Sequence, residues 1–190
     1  MIGRNREVKE LNRLYNSNKA ELVAIYGRRR VGKTYLIDET FQGRFAFKHA
    51  GLSPTGEKQK GFLNRQLLNF HNTLKSYGME NCDVPTNWLD AFFLLEKLLD
   101  SKDNGSRQVV FLDELPWLDT PRSGFISAFE SFWNNWACHR KNIMVIVCGS
   151  ANSWIQDKLI NNHGGLYNRV TYEIKLNPFN LNECEQFYKS

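Results

Sequence analysis

Gly27-Arg28-Arg29-Arg30-Val31-Gly32-Lys33-Thr34 stands between an apolar run, Leu22 to Tyr26, and a segment with helical spacing. Its pattern, Gly-x4-Gly-Lys-Thr, is that of a phosphate-binding loop, the Walker A motif. Each part has a physical reason. Gly27 and Gly32 let the main chain turn tightly and approach a phosphate with no Cβ in the way. The loop N–H groups and the start of the following helix converge on an anion. Lys33 adds a mobile positive charge, and the Thr34 hydroxyl suits Mg²⁺. Gly27, Arg30, Val31, Gly32, Lys33, Thr34 and Tyr35 form the expected binding set.

Working outward, apolar runs predict strands over residues 21–26, 44–50, 107–112, 142–148 and 170–176. Between and around them, helical spacing predicts helices near residues 5–15, 33–41, 57–77, 87–101, 124–139, 151–160 and 180–190. Asn5 is the expected cap of the first. Residues 115–123 read as a loop. Strands alternating with helices imply a parallel sheet with right-handed crossovers. The face Phe125, Ala128, Phe129, Phe132, Trp133 and Trp136 reads as core or interface.

The third strand runs into Asp113 and Glu114, which has the form of a Walker B motif. A carboxylate at the C-terminal end of a parallel strand lies in the ligand crevice. Asp113 would hold Mg²⁺ together with Thr34, and Glu114 would act as general base on water. In ATPases that use a catalytic Glu, the later strand is inserted between the two motif strands, and a polar residue at its tip faces the γ-phosphate. Here that tip is Gly149-Ser150-Ala151-Asn152. Ser150 is the first candidate for the sensor and Asn152 the second; the competing reading is a small-residue turn that caps the next helix. Arg169 is a candidate arginine finger, in cis or toward a neighbouring subunit, or a plain surface residue. Arg122 is a weaker candidate.

Composition narrows the class. The 190 residues are 42% hydrophobic and 24% charged, which reads as a globular domain with a sizeable core. No apolar run approaches a membrane span, and the first residues carry no apolar export signal, so a cytoplasmic place is expected. The net charge of +5 is mild and partly explained by the loop arginines, so nucleic acid is not demanded. Four cysteines form no Cys-x-x-Cys pair and four histidines show no ligand spacing, which argues for reduced thiols and against a metal site made of protein ligands alone.

The chain resembles the ATPase domain of the prokaryotic AAA+/STAND-type proteins often called archaeal-type ATPases. The likeness is carried by Ile2-Gly3-Arg4 before a helix, the loop after Tyr26, Leu112-Asp113-Glu114-Leu115-Pro116, Cys148-Gly149-Ser150, and Leu166-Tyr167-Asn168-Arg169 ahead of Leu176-Asn177-Pro178-Phe179. It implies a three-layer P-loop NTPase with a parallel five-stranded sheet in the order 5-1-4-3-2, as one domain over residues 1–190. It implies ATP and Mg²⁺ as ligands, hydrolysis that drives a conformational change, and Gly3 and Arg4 as neighbours of the base or ribose. A signalling switch with little turnover, or the ATPase module of a DNA-associated protein, are the alternatives. The family pattern has Gly-Arg where this chain has Asn168-Arg169. Such ATPases continue into a helical lid, often a winged helix; the chain stops short of one, and contact with nucleic acid is expected only through such a region.

Overall fold

The computed structural model describes residues 3–54, 61–150, 152–161, 164–179, 181, 184 and 185. Five strands carry the sheet: β1 (Glu21–Tyr26), β2 (Phe45–Ala50), β3 (Gln108–Asp113), β4 (Ile143–Gly149) and β5 (Tyr172–Lys175). All pairings are parallel, and the order is β2-β3-β4-β1-β5. This is the expected order, with β4 inserted between β1 and β3.

The helices are α1 (Asn5–Tyr15), α2 (Lys33–Phe41), α3 (Phe62–Ser76), α4 (Trp88–Ser101), α5 (Leu115–Leu118), α6 (Phe125–Asn135) and α7 (Asn152–Ile155). They cover both faces of the sheet, as a parallel sheet requires. Alternate strand residues feed the two cores. Leu22, Ala24, Val110, Leu112, Val145 and Val147 join the core under α3, α4 and α6. Val23, Ile25, Val109, Phe111, Met144 and Ile146 join the smaller core under α1 and α2. The larger core holds an aromatic chain: Phe70, Trp88, Phe92, Phe125 and Phe129 have successive ring centroids 5.6–6.2 Å apart. The aromatic face of α6 is therefore core.

Four local expectations change. Asn5 does not cap α1; Arg4 occupies the cap position with φ 59° and no side-chain cap bond. The stretch expected as a loop after Glu114 makes one helical turn, α5, with a proline in its first turn where no N–H is needed. Leu89, counted with the apolar face of α4, is 59% exposed. The expected helix over residues 151–160 is a single α turn, α7, continued by five residues of π-helix, Gln156–Ile160. The expected start of α3 at Glu57 and most of the expected final helix lie outside the described residues.

His49, on β2, is buried between the rings of Phe47 and Phe70. Its Nδ1 donates to Thr73 Oγ1 at 2.8 Å, since that hydroxyl already donates to the Asn69 carbonyl. Its Nε2 is buried without a hydrogen-bond partner. Burial lowers the imidazole from 6.5 to about 4. Between those two values the unfolded chain binds a proton that the folded chain refuses. The stability present above pH 6.5 is therefore lost as pH falls toward 4, by up to about 3 kcal/mol. His49→Gln removes this group. Its thermal midpoint is expected to fall less than that of the parent between about pH 7 and about pH 4.5; equal falls would show that another group titrates.

Candidate functional site

The site lies at the C-terminal ends of β1, β3 and β4, where the crevice of an open parallel sheet opens. The chain leaves β1 at Gly27. A Cβ built there would stand 2.2 Å from the Leu176 carbonyl oxygen. The Leu176 N–H in turn donates to the Tyr26 carbonyl at 2.7 Å. Gly27 is thus needed first for the passage of the segment after β5, a reason not visible in the motif. Arg30 follows with φ 64°, a strained conformation for a residue with a side chain, and Gly32 with φ 88° starts α2. Nothing lies within 4 Å of a Cβ built on Gly32. Gly32 directly precedes the first turn of α2, whose N–H groups have no carbonyl partner within the helix.

Lys33 is 6% exposed and folds back on its own loop. Its Nζ donates to the carbonyls of Gly27, at 3.0 Å, and Arg28, at 2.8 Å. Thr34 Oγ1 donates to Asp113 Oδ2 at 2.7 Å, so the phosphate loop and the end of β3 meet as expected. The other Asp113 oxygen accepts the Glu114 N–H at 2.9 Å. Cys148 lies beside this junction, its thiol pushed well up by burial and by the Asp113 carboxylate. It is a packing residue there, since a nucleophilic thiol needs the opposite shift.

Glu114 has φ 46° and ψ 46°, and α5 begins directly after it. Packing holds this strained residue in place. Its carbonyl would be 3.0 Å from a Cβ on Gly51, and Pro116 Cδ would be 2.7 Å from a Cβ on Gly149. Small residues at both strand tips let α5 close over them. Ser150 follows Gly149, and its N–H and Oγ both donate to Glu114 Oε2, at 3.4 Å and 3.2 Å. The structure therefore brings together Lys33, Thr34, Asp113, Glu114 and Ser150. The Asn152 side chain lies outside what is described.

An open cleft of about 530 Å³ faces this group, lined by Arg29, Arg30, Gly32, Lys33, Thr34, Tyr35, Ser53, Glu114 and Trp117. Tyr35 is 58% exposed at its edge. Sequence reasoning missed Ser53 and Trp117. Ser53 lies three residues past Ala50, which pairs with Asp113 in the sheet. Trp117 lies one helical turn after Glu114, a relation legible only once α5 is known to be helical.

Gly3 and Arg4 do not line the cleft. Gly3 is buried with φ 69°. The Arg4 guanidinium donates to the carbonyls of Val31, at 3.2 Å, and Asn177, at 2.6 Å, and lies 4.5 Å from the Phe179 ring centroid. It clamps the back of the phosphate loop to the segment after β5. Arg169 and Arg122 are exposed and also outside the cleft lining. Asn168 takes φ 54°, the left-handed conformation a glycine would supply, which Asn tolerates well. The departure from the family pattern at this position therefore keeps the turn.

A five-stranded parallel sheet in this order, with a Gly-x4-Gly-Lys-Thr loop after β1, defines a P-loop nucleoside triphosphatase fold. Over residues 1–190 the chain belongs to a family of ATPase domains found predominantly in Archaea. It is 28% identical over 189 residues to an uncharacterised protein of Methanocaldococcus jannaschii, MJECL04, covering 98% of this chain and 38% of that one. Among solved structures it is similar to the Walker-type ATPase PABY2304 of Pyrococcus abyssi, with TM-score 0.66 and 20% identity, over 100% of this chain and 57% of that one. It is also similar to the Aeropyrum pernix ORC2 protein, solved as ADPNP–ADP complexes, with TM-score 0.59 and 16% identity, over 99% and 51% of the respective chains. At such identities these two likenesses establish the fold. The chain spans less than two thirds of the length of each of these three proteins. Among the described residues no helix is long and apolar enough to cross a membrane.

The two loop glycines separate by experiment. Gly27→Ala forces a backbone collision with Leu176 and is expected to cost about 3 kcal/mol or more of stability. Gly32→Ala pays only for its left-handed backbone, about 1–2 kcal/mol. Chemical unfolding of both variants checks this; equal losses would remove the sheet-passage role of Gly27.

Proposed function

We propose that this chain binds ATP with Mg²⁺ and hydrolyses it to drive a conformational change, as the ATPase core of a larger protein. The observation that carries the reading is the 2.7 Å hydrogen bond from Thr34 Oγ1 to Asp113 Oδ2. Two oxygens on adjacent octahedral positions of Mg²⁺ stand about 2.9 Å apart, so this pair fits the ion with little movement. Among the described residues no group of three or more His, Cys, Asp or Glu could hold a metal. Phosphate and water oxygens would complete the shell, as Mg²⁺ prefers. When bound, the ion neutralises charge on the phosphate oxygens.

The protein groups divide the remaining work. Lys33 is held by two carbonyls and keeps a third N–H for a phosphate oxygen. Glu114 accepts the proton of a water whose oxygen attacks the γ-phosphorus, while the bond to the bridging oxygen breaks and ADP leaves. Ser150 orients the Glu114 carboxylate. Adenine as the base rests on the family, and action of Arg169 on a neighbouring subunit stays part of the proposal, supported by its exposure.

One observation favours a second reading, a nucleotide switch with little turnover. Both donors of Ser150 are directed at one carboxylate oxygen of Glu114, which takes up acceptor capacity that a general base would offer to water. The experiment is steady-state phosphate release with titrated nucleotide binding. Lys33→Ala is expected to lose ATP binding, and unchanged affinity would sink the site assignment. Glu114→Gln is expected to lower phosphate release about a hundredfold or more; a rate equal to the parent's would favour the switch.

A further inference from the structure

The Walker A pattern leaves four positions of its loop free, and this chain fills three of them with arginine. They are not equivalent. The Arg29 side chain leaves the loop and crosses the mouth of the cleft to the tip of β4. There its Nε donates to Ser150 Oγ at 3.4 Å. On the way its guanidinium passes 6.0 Å from the Trp117 ring centroid. Because Ser150 also donates to Glu114, a continuous line runs from Arg29 through Ser150 to Glu114. Both ends of this line, Arg29 and Glu114, border the same cleft as Lys33 and Thr34.

The charges along it have a consequence for any triphosphate that sits on the loop. Lys33, held to the Gly27 and Arg28 carbonyls, would reach the β- and γ-phosphates from a buried position. The terminal phosphate would lie nearest Glu114, where the protein presents a carboxylate. Beside Mg²⁺ and Lys33, a further cation on the open side would offset that repulsion, and Arg29 is exposed there. A guanidinium has five N–H donors in a planar fork that matches phosphate oxygens two at a time. Its present contacts, a long hydrogen bond and a distant ring, are weak beside a charge-assisted bidentate pair.

We propose that Arg29 binds the terminal phosphate of the nucleotide, so that the phosphate loop supplies its own arginine and reads triphosphate against diphosphate. The inference rests on the nucleotide-binding reading above. When Arg29 turns to phosphate it leaves Ser150, and the contact between the loop and the tip of β4 then reports which nucleotide is bound.

The test is equilibrium binding of Mg²⁺-ATP and Mg²⁺-ADP to the parent chain, Arg29→Gln, Arg29→Lys and Lys33→Ala. Arg29→Gln is expected to weaken ATP about tenfold or more while ADP stays within about twofold, and Arg29→Lys to recover part of the loss. Lys33→Ala is expected to lose both nucleotides. Arg29 is exposed, so its variants are expected to melt with the parent. Equal losses for ATP and ADP in Arg29→Gln, or an unchanged ATP affinity, would overturn the assignment of Arg29 alone. A parent chain that binds neither nucleotide would overturn the underlying reading as well.

Discussion

The site depends on β4 lying between β1 and β3. The phosphate loop leaves one strand and the acidic pair another, and the two are not neighbours. With strands spaced by about 4.8 Å, their ends stand about 10 Å apart. Thr34 and Asp113 close that gap from opposite sides. Gly149, at the tip of β4 between them, leaves room for Pro116 of α5, which packs where a Cβ would be. The next residue, Ser150, then reaches Glu114 from the middle strand. Pairing in the sheet thus sets the distance the site must span, and one small residue admits the helical turn that follows Glu114.

Part of the backbone strain lies beside the phosphate loop and the end of β3. Arg4, Arg30 and Glu114 adopt positive φ, each at an unfavourable cost of about 1 kcal/mol for a residue with a side chain. Tertiary contact holds two of them: Arg4 through two carbonyls and a ring, Glu114 through Gly51 and the turn of α5. Backbone that no local preference would choose is therefore maintained by packing, which is the usual condition for strained residues at functional sites.

Much of this was legible in the chain because the buried strands are short, unbroken apolar runs and the loop motif has a fixed spacing. From Val109 to Glu114 the sequence already showed an apolar strand delivering two acids, and the tip at Ser150 followed from the inserted strand. What escaped reading depended on contacts distant in sequence. Nothing local says that Gly27 must clear the Leu176 carbonyl, or that Arg4 is spent on Asn177 and Val31. The turn of α5 was hidden because four residues with a proline carry no helical period. Leu89 has the composition of a core residue but the wrong phase on α4. Trp117 and Ser53 reach the cleft through those same hidden geometries.

The dependence of Gly27 and Arg4 on Leu176 and Asn177 also orders events during synthesis. The residues that shape the back of the phosphate loop come from opposite ends of this sequence, and β5 pairs with β1 across that separation. Contacts this distant form late, after the intervening segments have collapsed. On a ribosome, β1 and the loop emerge before β5 and lack their flanking strand until β5 has cleared the exit tunnel. The nascent loop therefore lacks its final backing until then, and the pocket matures only when nearly all of this segment is available to fold.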